Sequence, residues 1–166
     1  MALLNAKEVL IYKINIFLFF CLLILVDQSS KVLVSNIMLE NQFSSISIFS
    51  FLDIVFVRNT GISFGLFSEG GILGRYFFST FSITVGLFIA VLAFLAEKKI
   101  VFFALCLISA GAIANAIDRV YFGGVIDFID FFVYNFHWPA FNFADIFITV
   151  GVFILLYENF YSNYAK

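Results

Sequence analysis

Two aspartates in the second half of the chain have the setting best suited to chemistry. Asp127 lies in the apolar stretch 125–129, and Asp145 lies three residues after Asn142 at the start of another apolar stretch. Two carboxylates brought close together cannot both ionise, so one keeps a proton while the other acts as a base. Such a pair can activate water against an amide carbonyl, which is the chemistry of aspartic proteases. It requires no metal and no cofactor, and we expect neither.

Other polar residues recur inside apolar stretches, where ionisable groups are costly and are functional candidates by default. At about 1.5 Å of rise per residue, Asp27 lies about 20 Å into the first apolar stretch. By the same rise, Asn115 and Asp118 lie about 22–27 Å into the third, and Asp145 lies about 9 Å below the opposite surface. We therefore expect three helices to bring polar groups to one level in the outer third of the bilayer.

The spacing of these residues places several of them on shared helix faces. Asn115 and Asp118 are three residues apart, and Asp27 precedes Lys31 by four, the better order for a helical ion pair. We expect Asp27 and Lys31 to be architectural. Asp118 and Arg119 are adjacent and cannot face each other. Asp118 is expected to fix the end of its helix by hydrogen bonds, and Arg119 to contact the substrate backbone or a neighbouring carboxylate.

The composition requires a membrane as the solvent for these elements. Of 166 residues, 63% are hydrophobic and 12% are charged, and the mean hydropathy is +1.09. A soluble domain carries about a quarter charged residues. The net charge of −2 gives no reason to expect nucleic acid as a partner. The single histidine, His137, and two cysteines in apolar runs offer no cluster for zinc.

Four apolar stretches are long enough to cross a bilayer, which takes about 20 residues. They predict an all-α membrane protein with spans at about 14–34, 76–96, 100–118 and 139–157, forming one domain over residues 1–166. The first stretch ends without a small-x-small cleavage site, so we expect it to be retained. Pro139 is expected to open the fourth span. The partial alternation of residues 47–57 predicts a small sheet or hairpin in the first outer loop.

The basic residues predict the orientation. Those that fall on one side of a four-span arrangement are Lys7, Lys13, Lys98, Lys99 and Lys166. The positive-inside rule makes that side cytoplasmic. Both termini are then cytoplasmic, and the loops at about 35–75 and 119–138 lie outside, next to the aspartates.

Five motifs, in order, resemble those of the bacterial lipoprotein signal peptidases (signal peptidase II). The first is DQSSK at 27–31, similar to D-Q-x-S-K. NTGISFG at 59–65 is similar to N-x-G-x-A-F. NAIDR at 115–119 and GVIDF at 124–128 are similar to G-N-x-x-D-R followed by G-x-V-x-D-F. FNFAD at 141–145 is similar to F-N-x-A-D. Each motif is weak alone, but five at the family's spacing are a strong resemblance.

The resemblance implies a four-span protease of the bacterial inner membrane with a small extracytoplasmic sheet that cradles the substrate. It implies cleavage of diacylglyceryl-modified prolipoproteins just before the lipid-bearing cysteine, with Asp127 and Asp145 as the catalytic dyad. The positions that match supporting or substrate-contacting residues are Asn59, Gly61, Asn115, Arg119 and Asn142. Asp27 and Lys31 match its structural polar pair. Membrane lipids are the other expected partners, and we expect a monomer.

The chain departs from the family pattern at a few small residues. Two expected glycines before Asn115 are alanines in the stretch 110–114, and Ser63 replaces an alanine. Alanine still permits close helix packing. Activity is expected to survive, while the fit of the substrate near Asn115 can differ.

Three other functions compete with this interpretation. A proton-coupled transporter also uses buried carboxylates, but it predicts acids near the midplane and broken spans in both halves. A non-enzymatic four-span scaffold leaves the matched Asn and Asp residues unexplained. A presenilin-type protease requires a Gly-x-Gly-Asp stretch, which the sequence lacks.

Overall fold

A computed structural model describes residues 6–60 and 71–164 of the chain. In these residues the helices and strands follow one another as α1 Ala6–Glu40, β1 Ser45–Phe49, β2 Leu52–Asn59, α2 Gly71–Leu95, α3 Lys99–Phe122, β3 Val125–Val133, β4 Phe136–His137 and α4 Phe143–Tyr164. The predicted combination of helices with a small sheet is confirmed.

Four helices are long and apolar enough to cross a membrane, as predicted. Their candidate spans are Ile14–Glu40, Leu73–Leu95, Lys99–Phe122 and Phe143–Tyr161. The chain is a multi-pass membrane protein. The first and third helices continue past the predicted ends at 34 and 118, so Asp27 lies halfway along its span rather than in the outer third.

The third helix, α3, is the centre of the bundle. Most of it is buried, whereas the other three helices expose most of their apolar side chains, as lipid-facing helices do. Glycines let α4 approach α3 closely: a Cβ added at Gly151 would lie 2.6 Å from the carbonyl oxygen of Ala104, and one at Gly111 would clash with the carbonyl oxygen of Ala144. Small residues at helix contacts are typical of membrane bundles, where packing rather than water drives association.

The four strands form one antiparallel sheet in the order β1-β2-β3-β4. The predicted hairpin in the first outer loop is therefore present as β1 and β2. The second loop supplies the other two strands, which were not predicted. Its β-branched and aromatic residues are those that favour strands. The register between β2 and β3 shifts between Ile54 and Val57, close to the pairing of Val57 with Asp127.

Two helix ends are fixed by specific contacts near the polar residues. At the end of α3, Gly123 has a left-handed backbone (φ 77°), and the guanidinium of Arg75 in α2 donates to the carbonyl oxygens of Arg119 (2.9 Å) and Val120. These contacts satisfy carbonyls that a helix end leaves without partners. The start of α4 differs from the prediction, because the helix begins at Phe143 and Pro139 lies in the connection before it.

Candidate active site

A reciprocal cap fixes the start of α4 and holds Asp145 in place. The side-chain oxygen of Asn142 accepts the backbone N–H of Asp145 (3.0 Å), and the carboxylate of Asp145 accepts the backbone N–H of Asn142 (3.2 Å). This is the geometry of a capping box, with asparagine as the cap and an acid three residues later. The cap explains why the helix starts after Asn142 instead of at Pro139.

The sheet delivers Asp127 to the same place. Strand β3 is buried from Val125 to Ile129, and it pairs with β2 so that Asn59 stands opposite Val125. The side-chain amide of Asn59 donates to one oxygen of Asp127 (3.1 Å). The amide of Asn142 donates to its other oxygen (2.7 Å).

Asn142 therefore contacts both aspartates that the sequence singled out. Its side chain donates to Asp127 and its backbone donates to Asp145. The second oxygen of Asp145 accepts the side-chain amide of Asn115 in α3 (2.8 Å). All four carboxylate oxygens accept N–H bonds, and the carboxylates of Asp127 and Asp145 converge on one residue.

Both aspartates line an open cleft of about 870 Å³ between the sheet and the ends of α3 and α4. The wall also includes Asn59, Arg119 and Phe141. Much of the remaining lining is apolar, including Trp138 and residues of the first turns of α4. A cleft of this kind accommodates an apolar chain and places one polar spot against it.

The ionisation of Asp127, which lies outside the helical spans, is strongly perturbed. Burial, and next the negative charge of Asp145, raise the pKa of Asp127 to about 7, against the opposing hydrogen bonds from Asn59 and Asn142. A carboxyl group with this pKa still carries a proton close to neutral pH. Perturbed groups in a cleft are characteristic of sites that carry out chemistry.

A second polar cluster lies behind the cleft, between α1 and α3. The ammonium group of Lys31, only 1% exposed, bonds Asp27 (2.7 Å) and Asp118 (2.7 Å), both fully buried. Gln28 donates to Asp118 (2.8 Å), and the backbone N–H of Ala144 donates to Asp27 (2.8 Å). The cluster therefore ties the first turn of α4 to α1.

Comparison with known proteins relates this arrangement to a peptidase family. A family model described as signal peptidase (SPase) II matches residues 19–161. The chain belongs to the signal peptidase II family. The match contains both polar clusters, most of the first candidate span and the whole of the other three.

Individual relatives in the signal peptidase II family cover most of the chain. The lipoprotein signal peptidase of Thermodesulfovibrio yellowstonii is 38% identical over 149 residues, covering 90% of this chain and 95% of that protein. That of Cupriavidus necator is 39% identical over 141 residues, covering 84% and 79%. A bacterial membrane enzyme solved by the in meso method at 2.3 Å is 29% identical, with a TM-score of 0.78 and coverage of 92% and 91%.

Most residues predicted from the family motifs lie in one of the two clusters. Asn59, Asn115 and Asn142 contact the two cleft aspartates, whereas Gly61 lies outside the described residues. Asp118 accepts the backbone N–H of Ile126 (3.2 Å), a contact across the connection after α3.

Arg119 lines the cleft, and it donates weakly to the carbonyl oxygen of Asn115 (3.4 Å). The Nε of this guanidinium is buried without a hydrogen-bond partner among the described residues. Its expected contact with a substrate backbone stays a prediction, and the orphaned Nε is consistent with a partner supplied from the cleft.

Two residues that complete the site were not singled out from the sequence. Gln28 appeared only as a letter of the first motif, although an amide next to Asp27 within an apolar span is itself a signal of a buried network. Arg75 belongs to none of the five motifs. Its contacts with carbonyls of α3 depend on the packing of two helices and leave no local pattern.

Within residues 6–60 and 71–164, no group of three or more His, Cys, Asp or Glu side chains is arranged to hold a metal ion. The donors around Asp127 and Asp145 are amides, which polarise and orient carboxylates directly. A carboxyl pair with such neighbours is suited to giving and taking a proton.

Proposed function

We propose that this chain is an intramembrane aspartyl endopeptidase that removes the signal peptide from diacylglyceryl-modified prolipoproteins, cutting before the lipidated cysteine. The catalytic residues are Asp127 and Asp145. Family membership supports a signal peptidase, and the curated relatives are lipoprotein signal peptidases. The aspartic mechanism and the cleavage position are our extension.

One observation carries the mechanism: Asn142 donates to Asp127 through its side chain and to Asp145 through its backbone. This common partner brings two carboxyl groups to one edge of a cleft. Because the pKa of Asp127 is raised to about 7 by burial and by its neighbour, the pair can hold one proton near neutral pH.

The reaction then follows from the shared proton. The ionised carboxylate takes a proton from a water molecule, whose oxygen attacks the carbonyl carbon of the scissile amide. The protonated carboxyl group gives its proton to the carbonyl oxygen as the tetrahedral intermediate forms. Collapse of the intermediate breaks the C–N bond: one of its hydroxyl groups returns a proton to the ionised carboxylate as the new C=O forms, and the other carboxyl group gives its proton to the leaving amine.

The cleft supports an apolar substrate that enters from the lipid. Its lining includes Trp138, Phe141 and apolar residues of α4. We infer that the acyl chains remain in the lipid while the peptide crosses the polar edge formed by Asp127 and Asp145. In the orientation that the basic residues predict, both termini are cytoplasmic and the site faces the outer side of the bacterial inner membrane. We expect the enzyme to be a monomer.

Replacing either aspartate tests the mechanism. Asp127→Asn and Asp145→Asn each keep the shape of the side chain but cannot share a proton as a carboxyl pair. We expect each to reduce cleavage of a lipidated prolipoprotein by at least about a thousandfold. The measurement is the rate of signal-peptide release by purified protein in detergent or liposomes, with thermal unfolding to show that the variants fold.

Asp130→Asn is the matched control. Asp130 lies on β3, as Asp127 does, but it pairs with His137 (2.8 Å) and not with Asn142. It should cleave at close to the wild-type rate. Near-normal cleavage by Asp127→Asn or Asp145→Asn would refute the dyad.

The substrate and the role of metals have separate tests. Mass spectrometry of the products should place the cut immediately before the lipidated cysteine, and a prolipoprotein without lipid should be cleaved poorly. Cleavage should also persist in EDTA. Loss of cleavage in EDTA that added zinc restores would contradict a metal-free mechanism.

A proton-coupled transporter is less well supported. Asp127 lies on a strand outside the helical spans, and Asp145 is the third residue of α4. Proton relays of transporters are expected near the midplane, between broken helices. Proton-driven uptake of a solute by liposomes containing the wild-type protein, lost in Asp127→Asn while proteolysis is unchanged, would favour the transporter.

A further inference from the structure

The buried cluster contains a contact that reaches beyond its own aspartates. An ammonium group has three N–H donors and no acceptor. Two donors of Lys31 bond Asp27 and Asp118, and the third bonds the side-chain oxygen of Asn115 (3.0 Å). The three donors have three acceptors, so the contact with Asn115 cannot be exchanged for another without breaking the cluster.

Asn115 belongs to both clusters, because its two amide atoms face opposite ways. The oxygen accepts Lys31, and the nitrogen donates to Asp145 (2.8 Å). Turning the amide over would place an NH2 group against an ammonium and an oxygen against a carboxylate. The charge on Lys31 therefore dictates which end of Asn115 faces Asp145.

Asn142 also donates to the oxygen of Asn115 (3.2 Å), but it cannot replace Lys31. Its nitrogen gives one N–H to Asp127 (2.7 Å), and the other is shared between Asn115 and the carbonyl oxygen of Ile126 (3.4 Å). Lys31 is therefore the charged donor to the side-chain oxygen of Asn115, and it does not share this N–H with another acceptor.

We propose that Lys31 is a positioning residue for the catalytic pair: acting through Asn115, it keeps Asp145 as the ionised base, which leaves Asp127 as the member that carries the proton. This inference rests on the proposed function. It gives the buried lysine a role in the reaction in addition to its structural contacts. The raised pKa of Asp127, about 7, agrees with the assignment of the proton.

The other charged groups around the pair do not make this contact. They are Asp27 from α1, Arg58 from β2, and Asp118 and Arg119 from α3. Arg119 donates to the backbone of Asn115, and Asp27 and Asp118 bond Lys31. Lys31 is thus the cation that bonds an amide in contact with Asp145.

The test separates the charge of Lys31 from the stability of the cluster. Lys31→Met alone leaves two buried carboxylates without a cation. The double variant Lys31→Met with Asp27→Asn keeps the formal charge of the three residues at −1, because one cation and one anion are removed together. Asp27→Asn alone is the matched control: it keeps Lys31 on Asn115 and an oxygen that can accept the N–H of Ala144.

The readout is the pH profile of kcat/KM for a lipidated prolipoprotein, with kcat and KM resolved separately and thermal unfolding as a check on folding. We expect Asp27→Asn to keep the position of the acidic limb. In the double variant the acidic limb should move upwards by about one pH unit, as the loss of a nearby opposite charge does. The loss should appear in kcat rather than KM. A double variant with the profile of Asp27→Asn would overturn the inference.

Asn115→Asp provides a second test that does not remove Lys31. It has the shape of asparagine and still accepts Lys31, but presents an oxygen where Asp145 needs a donor. Its acidic limb should also move upwards, and this variant decides the matter if the double variant does not fold. A wild-type profile for Asn115→Asp would refute the inference. If Asp127→Asn and Asp145→Asn lose cleavage while the pH profiles of the double variant and of Asn115→Asp stay unmoved, the role of Lys31 is refuted. The proposed function would then remain intact.

Discussion

The bundle contains two pairs of aspartates, and they are stabilised in different ways. Asp27 and Asp118 share Lys31, are fully buried, and have every oxygen bonded. The pair formed by Asp127 and Asp145 is joined by Asn142, a neutral residue, and lines an open cleft. The first pair has a cation between its members; the second has only amides.

This difference is the physical reason to expect a structural role for the first pair and the proposed catalytic role for the second. A buried carboxylate must be paired or lose its charge, and Lys31 supplies a cation to both Asp27 and Asp118. At the cleft, burial and next the negative charge of Asp145 raise the pKa of Asp127 more than its amide donors lower it, so a proton remains on the pair near neutral pH. Aspartates thus make permanent structural contacts in the first pair, and in the second pair they are proposed to hold and release a proton.

The largest expected effect comes from removing Lys31, the cation that Asp27 and Asp118 share. Lys31→Met should destabilise the protein by about 3–5 kcal/mol, because Asp27 and Asp118 are left buried and uncompensated. Thermal unfolding in detergent, with the yield of folded protein, measures the loss.

Lys98→Met is the control for that experiment. Lys98 is 56% exposed and pairs with Glu158 at 2.6 Å, so its removal should cost less than about 1 kcal/mol. Equal losses for the two lysines would mean that the buried cluster adds nothing beyond an ordinary ion pair.

A smaller effect is expected where α4 rests on α3 between the two pairs. Gly111→Ala would place a methyl group against the carbonyl oxygen of Ala144 and 2.7 Å from a side-chain carbon of Ile148. The shift of α4 should cost about 1–3 kcal/mol and also lower cleavage, because α4 carries Asp145. Unfolding and cleavage are measured on the same preparation.

Gly74→Ala is the matched substitution, since nothing lies within 4 Å of a Cβ at that position in α2. Alanine also favours a helix over glycine, so stability should be unchanged or slightly higher. If Gly111→Ala behaved like Gly74→Ala, close backbone contact would not be what positions α4.

The two pairs also differ in how far the sequence predicted them. The i, i+4 spacing of Asp27 and Lys31 is local and predicts their contact directly. Depth along the helices brought Asn115 and Asp145 to one level without any structure, although α1 runs six residues beyond its predicted end. The family motifs then named the remaining cleft residues, and five ordered motifs sufficed to recognise the family.

The parts that were not predicted depend on contacts between distant segments. The pairing of β3 with β2 places Asn59 beside Asp127, and nothing local in either stretch specifies that register. The start of α4 was placed too early because Pro139 suits a first helical position, whereas the capping box at Asn142 is stronger. The bond from Lys31 to Asn115 joins residues 84 positions apart.

The smallest expected effect is the gradual change of stability and cleavage with pH that Asp127 and Asp145 cause. Because the pKa of Asp127 is raised to about 7, the folded protein holds a proton that the unfolded chain releases near pH 4. Stability should therefore fall as pH rises from about 4 to about 7, and kcat/KM should fall about tenfold for each pH unit above the limb near 7. Unfolding midpoints and cleavage rates between pH 4 and 9 measure the two, and Asp127→Asn should remove most of the fall in stability. A wild-type stability that stays level across this range, or rises with pH, would show that Asp127 and Asp145 do not hold this proton.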